Sequence, residues 1–251
     1  MVAGMACLMC GATIGGARRA SSLAGASRDY EMDLMLRGFS HVIGVDEAGR
    51  GPLAGPVVAG AVCCLNPSAP VISLAADSKK LTDAKRRKVV DELLANPRDY
   101  AVAVISIPHD EIDRINILQA TMCAMRLSIE EVVTKVSRDN AGVPFYAIVD
   151  GNKTPAGLSI PARPLVRGDA LCYSIALASC VAKVARDDMM DVLDEKYPLW
   201  NFATNKGYPT AEHVRLIGLH GPSPIHRMTF KPLKGRNFTV PLISSPTIDE
   251  P

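Results

Sequence analysis

The stretch His41-Val42-Ile43-Gly44-Val45-Asp46-Glu47-Ala48-Gly49-Arg50-Gly51-Pro52 decides how the rest of the chain is read. An apolar run of strand character ends in two adjacent carboxylates, and a glycine-rich turn follows at once. Successive strand side chains point to opposite faces, so one of the two acids is directed inward. An ionised carboxylate is costly to bury unless it is paired or bound to a metal. The turn carries Gly49, Arg50 and Gly51, which allow backbone N–H groups and a guanidinium to approach a phosphate closely. Metal-binding acids beside a phosphate-reading turn point to phosphodiester chemistry.

The 251-residue chain is 48% apolar and 22% charged, the composition of a protein with a real core. Its length suits one large domain with extensions. No run of 18 uncharged apolar residues occurs, so no membrane span is expected. A formal net charge of +2 does not by itself argue for nucleic acid. Its distribution says more: Lys206, Arg215, Arg227, Lys231, Lys234 and Arg236 are opposed only by Glu212, with His213, His220 and His226 among them. This segment reads either as a phosphate-facing patch or as an ordinary solvated surface.

The seven cysteines show no framework spacing. Cys7 and Cys10 form a lone pair without a second pair or a nearby histidine. Cys63, Cys64, Cys123, Cys172 and Cys180 lie in apolar segments as small core residues, which favours a reducing compartment. Residues 1–28 contain no acid and three arginines, Arg18, Arg19 and Arg28. That composition fits a mitochondrial targeting leader or a disordered tail, with a nuclear or cytoplasmic location as the alternative.

Beyond this leader, residues 30–38 read as a short helical lead-in. Strands are expected at 41–45, 57–65, 100–107, 145–149 and 162–166. A polar helix begins near Asp77 or Ser78 as cap and runs to about Leu94. Ile112, Ile115, Leu118, Met122, Met125, Ile129, Val132 and Val136 recur at helical spacing and form one amphipathic face. A long apolar helix is expected from Ala170 to about Asp194. Three strands in succession, then strands alternating with helices, give a mixed α/β sheet with a helical C-terminal appendage. The domain is placed at 40–235, with a tail at 236–251.

Three strand ends carry carboxylates: Asp46 with Glu47, Asp150, and Asp169. In an open α/β sheet such ends converge on one ligand crevice. Each acid has a plain alternative, Asp150-Gly151 as a turn and Asp169 as a helix cap. Four clustered acids, however, repel unless cations lie between them, and two Mg²⁺ ions would balance them. Asp187, about 27 Å along a continuous helix from Asp169, is excluded from that site and pairs instead with Lys183 at i,i+4. The glycines at 49, 51 and 55 miss the dinucleotide-binding spacing, and no P-loop occurs.

The motif Gly44-Val45-Asp46-Glu47-Ala48-Gly49-Arg50-Gly51-Pro52 resembles the signature of the ribonuclease HII family. Asp77-Ser78-Lys79-Lys80-Leu81, Val149-Asp150-Gly151-Asn152, Gly168-Asp169, Ala182-Lys183-Val184-Ala185-Arg186-Asp187, Lys206-Gly207-Tyr208 and Ser223-Pro224-Ile225-His226-Arg227 match in the same order. The resemblance covers residues 44–230. It implies a ribonuclease H-like fold, a five-stranded mixed sheet flanked by helices with a C-terminal helical segment. It also implies an endoribonuclease that hydrolyses the RNA strand of RNA/DNA hybrids and cuts 5′ of ribonucleotides embedded in duplex DNA, leaving 3′-hydroxyl and 5′-phosphate ends.

Carried over residue by residue, Asp46, Glu47, Asp150 and Asp169 match the catalytic metal-binding acids, for two Mg²⁺ or Mn²⁺ ions. Gly49, Arg50 and Gly51 match the loop that senses the 2′-hydroxyl, and Tyr208 the tyrosine that stacks at the RNA–DNA junction. Lys79 or Lys80 is either a backbone-phosphate contact or part of a solvated helix start. The forms at Asp150 and Ser223–Arg227 look like those of single-chain bacterial enzymes, which implies a monomer. Two other readings stay open: a DNA-directed nuclease or integrase of the same fold, and a non-catalytic nucleic-acid-binding protein.

Overall fold

The computed structural model describes residues 26–72, 81–138 and 142–235. Lys79, with Asp77, Ser78 and Lys80, lies outside the described residues, as do Cys7, Cys10, Arg18, Arg19 and Arg236. A short helix α1 (Asp29–Leu36) leads into strands β1 (His41–Ala48) and β2 (Val57–Cys64). Helix α2 (Asp83–Ala95), β3 (Tyr100–Ile107), α3 (His109–Ile115), α4 (Ile117–Ser137), β4 (Phe145–Asp150) and β5 (Ala162–Leu165) follow. The chain continues through α5 (Gly168–Leu171), α6 (Tyr173–Lys196), a 3₁₀ turn Pro198–Trp200, α7 (Phe202–Asn205) and α8 (Ala211–His220). The five strands form one mixed sheet in the order β3-β2-β1-β4-β5. β1, β2 and β3 pair antiparallel, while β4 pairs parallel to β1 and to β5.

Helices cover both faces of this sheet because its central strands are apolar on both faces. Ile43, Val45, Ala59, Ala61 and Cys63 pack against the Ala124, Met125, Ile129 and Val132 stripe of α4. On the other face Val62, Cys64 and Tyr100 meet Tyr173, Leu177, Ala178 and Val181 of α6 and Val89 and Leu93 of α2. Full burial contributes roughly 1.5–3 kcal/mol for each such large side chain, before entropy is subtracted. Helix α6 lies against β1 so closely that a Cβ on Gly44 would collide with the Ser174–Ile175 peptide, so only glycine permits this approach. A separate cluster of Leu53, Ala54, Met190, Trp200, Phe202, Ile217, Ile225 and Leu233 fixes the C-terminal helices beside the 49–56 turn.

Four sequence expectations change in detail. The long amphipathic helix is two helices, because Asn116 takes a left-handed φ of 69° and then caps α4, its Oδ1 accepting from Leu118 N and Gln119 N. The apolar helix expected from Ala170 is split at Cys172, which is extended (φ −115°, ψ 125°). Asp169 therefore sits in the first turn of α5 and is not the cap; Arg167 takes that position. Helix α2 begins at Asp83, capped by Thr82 Oγ1 accepting from Lys85 N (3.4 Å), and not at Asp77 or Ser78. The cysteines are as expected: Cys63, Cys64, Cys172 and Cys180 are buried and free, and Cys123 is half-buried.

Candidate active site

Parallel pairing of β1 with β4 brings the acids together. The last paired rung is Val45 with Val149, so Asp46 and Asp150 follow one residue later on adjacent strands. Strand alternation turns Asp46 toward α6, where Ser179 hydrogen-bonds its carboxylate. Glu47 turns toward α4. Asp150 Oδ1 accepts from Gly168 N (2.6 Å), which fastens the start of α5 to the end of β4 and brings Asp169 alongside. Asp46, Glu47, Asp150 and Asp169 line one open cavity of about 410 Å³. Asp46 and Asp169 are buried, with Glu47 and Asp150 half-buried at the mouth.

Burial dominates the electrostatics of Asp46 and Glu47, and mutual repulsion adds to it. Burial, then the neighbouring charges of Glu47 and Asp150, hold the Asp46 carboxyl well above the usual carboxylate range, against the hydrogen bonds from Ser179 and Glu47 N (2.7 Å). Burial also raises Glu47, opposed by Arg50, whose Nη1 lies 3.1 Å from Glu47 Oε1. Among the described residues no three His, Cys, Asp or Glu side chains stand close enough together to hold a metal ion by themselves. The acids share a cavity instead. That fits a hard divalent cation that keeps water and substrate oxygens in its shell, better than a caged structural metal. The all-oxygen donor set fits Mg²⁺ or Mn²⁺ and does not fit a structural zinc.

The turn after β1 forms the cavity's other wall. Gly49, Arg50 and Gly51 line it together with Tyr208, Arg86, Ser179 and Lys183. Tyr208 is 40% exposed, and its Cε1 lies 3.8 Å from where a Gly51 Cβ would stand. Lys183 Nζ and the Arg186 guanidinium each sit 5.8 Å from its ring centre. Lys183 makes the expected bridge to Asp187 (2.7 Å) and in addition lines the cavity, a role its spacing to Asp187 did not suggest. Ser179, Lys183 and Arg186 form one stripe of α6, and their three- and four-residue spacing within an apolar helix was the available signal. Asp187 does not line the cavity.

Of the basic segment after Asn201, Arg215, Lys231 and Lys234 are exposed, but Arg227 is not. Arg227 is fully buried, and its five N–H donors all meet carbonyls of the turn. Nη2 donates to Gly49 (2.7 Å) and Pro56 (3.0 Å), Nη1 to Pro52 (2.9 Å) and Arg50 (3.2 Å), and Nε to Gly55 (3.0 Å). Arg186, also fully buried, donates to Pro56 O (3.0 Å), Ala54 O (3.2 Å) and Lys206 O (2.9 Å). Gly49, with φ 94°, has no room for a side chain against Arg186. Burial, then the charge of Arg186, pushes Arg227 down to about 9, which leaves it cationic at neutral pH.

His213 and His226 are likewise buried. His213 Nδ1 faces the Tyr208 carbonyl (2.8 Å), which can only accept, so His213 Nε2 accepts from His226 Nε2 (3.1 Å). His226 Nδ1 then accepts from Ser223 N (2.8 Å). Both rings are held neutral, and burial takes His226 down to about 3.

A mixed five-stranded sheet with carboxylates at the ends of its two central strands, covered by one long helix, defines the ribonuclease H class of nucleases. The sequence profile described as Ribonuclease HII matches residues 43–233. A Ribonuclease HII of Desulfitobacterium hafniense (strain DSM 10664 / DCB-2) is 44% identical over 204 residues, spanning 81% of this chain and 74% of its own. The crystal structure of ribonuclease H2 from Pyrococcus horikoshii OT3 superposes with a TM-score of 0.59 at 26% identity, covering 77% of this chain and 95% of the other. Bst-RNase HIII in complex with Mn²⁺ shares the fold at a TM-score of 0.62 and 17% identity, covering 79% and 70%. The chain belongs to the ribonuclease HII family. It is a metal-dependent type 2 ribonuclease H, a hydrolase acting on nucleic acid. No helix among the described residues is long and apolar enough to cross a membrane.

Proposed function

We propose that this enzyme hydrolyses the RNA strand of RNA/DNA hybrids and cuts 5′ of single ribonucleotides in duplex DNA. The carrying observation is that the four acids, the Gly49-Arg50-Gly51 turn and Tyr208 line one cavity. Asp46, Glu47, Asp150 and Asp169 hold the divalent ions, in keeping with the Mn²⁺ complex of the distant Bst-RNase HIII. When bound, two Mg²⁺ or Mn²⁺ ions would activate water and stabilise the leaving oxygen.

The chain's own residues supply the selection. The backbone of Gly49 and Gly51 and the guanidinium of Arg50, half-exposed beside Glu47, face the sugar edge, where the 2′-hydroxyl separates RNA from DNA. Tyr208 offers a flat face over which a base or sugar at the junction stacks, backed by Lys183 and Arg186. Arg86 and Lys183, at the cavity wall, neutralise flanking phosphates. Because the turn is fixed by Arg227 and Arg186, the reader is set before substrate arrives, which lowers the cost of binding.

The decisive assay uses duplex DNA carrying one ribonucleotide, with Mg²⁺ and Mn²⁺ in turn, beside an all-DNA duplex. Cleavage 5′ of the ribonucleotide with intact DNA is expected; equal cutting of all-DNA duplex would point to a DNA-directed nuclease instead. The enzyme acts as a monomer in this reading, which sedimentation of the purified chain checks. The acid-free leader supports delivery to mitochondria. Import is sustained by a mature N-terminus near residue 25 and refuted by an intact Met1 in the organelle-free fraction alone.

A further inference from the structure

Residues 26–36 precede the part of the chain that matches the family profile, yet they are fastened to the joint between α5 and α6. Ser27 pairs with Cys172 as an isolated parallel bridge, Ser27 N donating to Leu171 O (3.2 Å) and Tyr173 N to Ser27 O (2.9 Å). Arg28 Nη1 donates to Pro67 O (2.7 Å) and Ala69 O (3.0 Å), with its guanidinium 4.9 Å from the Tyr173 ring centre. The last three residues of the span read as a leader are thus part of the folded body.

From α1, Glu31 reaches the same joint. Its side chain is buried, and Oε1 accepts from Ser174 N (2.7 Å) and from the Cys172 thiol (3.2 Å). Ser174 N belongs to the first turn of α6, where amides have no acceptor within the helix, and a carboxylate there also complements the helix dipole. Burying this carboxylate is costly, and the bonds from Ser174 N and the Cys172 thiol offset that cost at Oε1, while Oε2 meets no hydrogen-bond partner.

The joint it holds is where the acid-bearing elements meet. The Ser174–Ile175 peptide lies in backbone contact with Gly44, two residues before Asp46. Ile175 Cδ1 lies 2.6 Å from where a Gly168 Cβ would stand, and Gly168 N is the group that binds Asp150. Asp169 lies five residues before Ser174 and Ser179 five after it. A shift of the start of α6 therefore displaces Asp169, the Ser179 hydrogen bond to Asp46, and the Gly168 anchor of Asp150 together.

We infer that Glu31 is a positioning residue for the catalytic acids, acting through the α5–α6 joint, so that the segment before the family core sets how well the site holds its cations. This rests on the assignment of the four acids made above. In the full chain, Glu31→Ala should weaken Mn²⁺ binding, read by calorimetry without substrate, and kcat, each by about tenfold. KM for the hybrid should stay unchanged. Glu31→Gln keeps an acceptor oxygen for Ser174 N and should return both to within about threefold of wild type.

A lowered melting temperature with wild-type Mn²⁺ affinity and kcat would overturn the inference and leave Glu31 a purely structural cap. So would a loss in Glu31→Gln as large as in Glu31→Ala. If wild-type protein binds Mn²⁺ yet fails to cut hybrids, the functional reading falls, and the calorimetric comparison alone decides the role of Glu31.

Discussion

The two charged centres of this molecule are handled in opposite ways. At the strand ends, carboxylates are crowded and desolvated against one another, with Asp46 raised by burial and by Glu47 and Asp150. Behind the 49–56 turn, Arg227 and Arg186 are buried as deeply, but neutral carbonyls take up every N–H of Arg227. At the acid centre the Asp46 carboxyl stays raised despite its hydrogen bonds, whereas at the arginine centre a carbonyl meets every N–H of Arg227.

Removing a charge from each centre gives the sharpest contrast. Asp150→Asn and Asp46→Asn should lower hybrid cleavage by on the order of a thousandfold, with hybrid binding retained. Asp46→Asn should also raise the melting temperature of metal-free protein, at about 2–4 °C per kcal/mol gained. Normal turnover by Asp150→Asn protein would break the comparison on the acid side. Arg227→Ala takes this donor from the carbonyls of Gly49, Arg50, Pro52 and Gly55, while Pro56 O keeps Arg186, and should cost about 3 kcal/mol or more in urea denaturation. A stability within error of wild type would show that the turn holds itself.

Where the two centres meet, Tyr208→Ala should lower cleavage at a single embedded ribonucleotide about tenfold more than cleavage of long hybrids. Equal losses on both substrates would assign Tyr208 to general binding.

A further effect is in pH dependence. Because the His226 value is lowered to about 3 while an unfolded histidine titrates near 6.5, the unfolded chain binds the extra proton between these values. Stability therefore falls as pH drops from about 6.5, by at most about 1.4 kcal/mol per unit for one proton. Asp46 acts in the other direction. Its raised value makes metal-free protein lose stability as pH climbs from about 3.9 through the folded value, a loss that Mn²⁺ should abolish. Thermal melts across pH 4–8 with and without Mn²⁺ check both signs, and a His226→Asn variant should reduce the first slope, to which buried His213 also contributes, and leave the second unchanged.

The acids were legible because strand alternation and adjacent carboxylates leave few structural excuses, and the cavity gathers Asp46, Glu47, Asp150 and Asp169 as read. The motif resemblance grouped Gly49, Arg50, Gly51 and Tyr208 with the acids, and all four line the same cavity. The breaks at Asn116 and Cys172 were not, because hydrophobic periodicity continues across a residue whose backbone angles it cannot register. Arg227 was misplaced for a related reason. Composition assigns arginine to the surface, and only the three-dimensional return of residue 227 to the 49–56 turn reveals five carbonyls waiting for it. The cap of α2 is Thr82, and residue type could not single it out because Asp77 and Ser78 are equally sound caps by that measure.

The clamp on the turn also has a meaning in time. Arg227 is added to the growing chain 178 residues after Gly49, the partner it holds. A nascent chain has all four cavity acids by residue 169 yet cannot clamp the 49–56 turn until residue 227 has left the ribosome. On the function proposed above, selectivity is acquired last, and a chain ended by a stop codon at position 227 should carry all four acids with its turn unset.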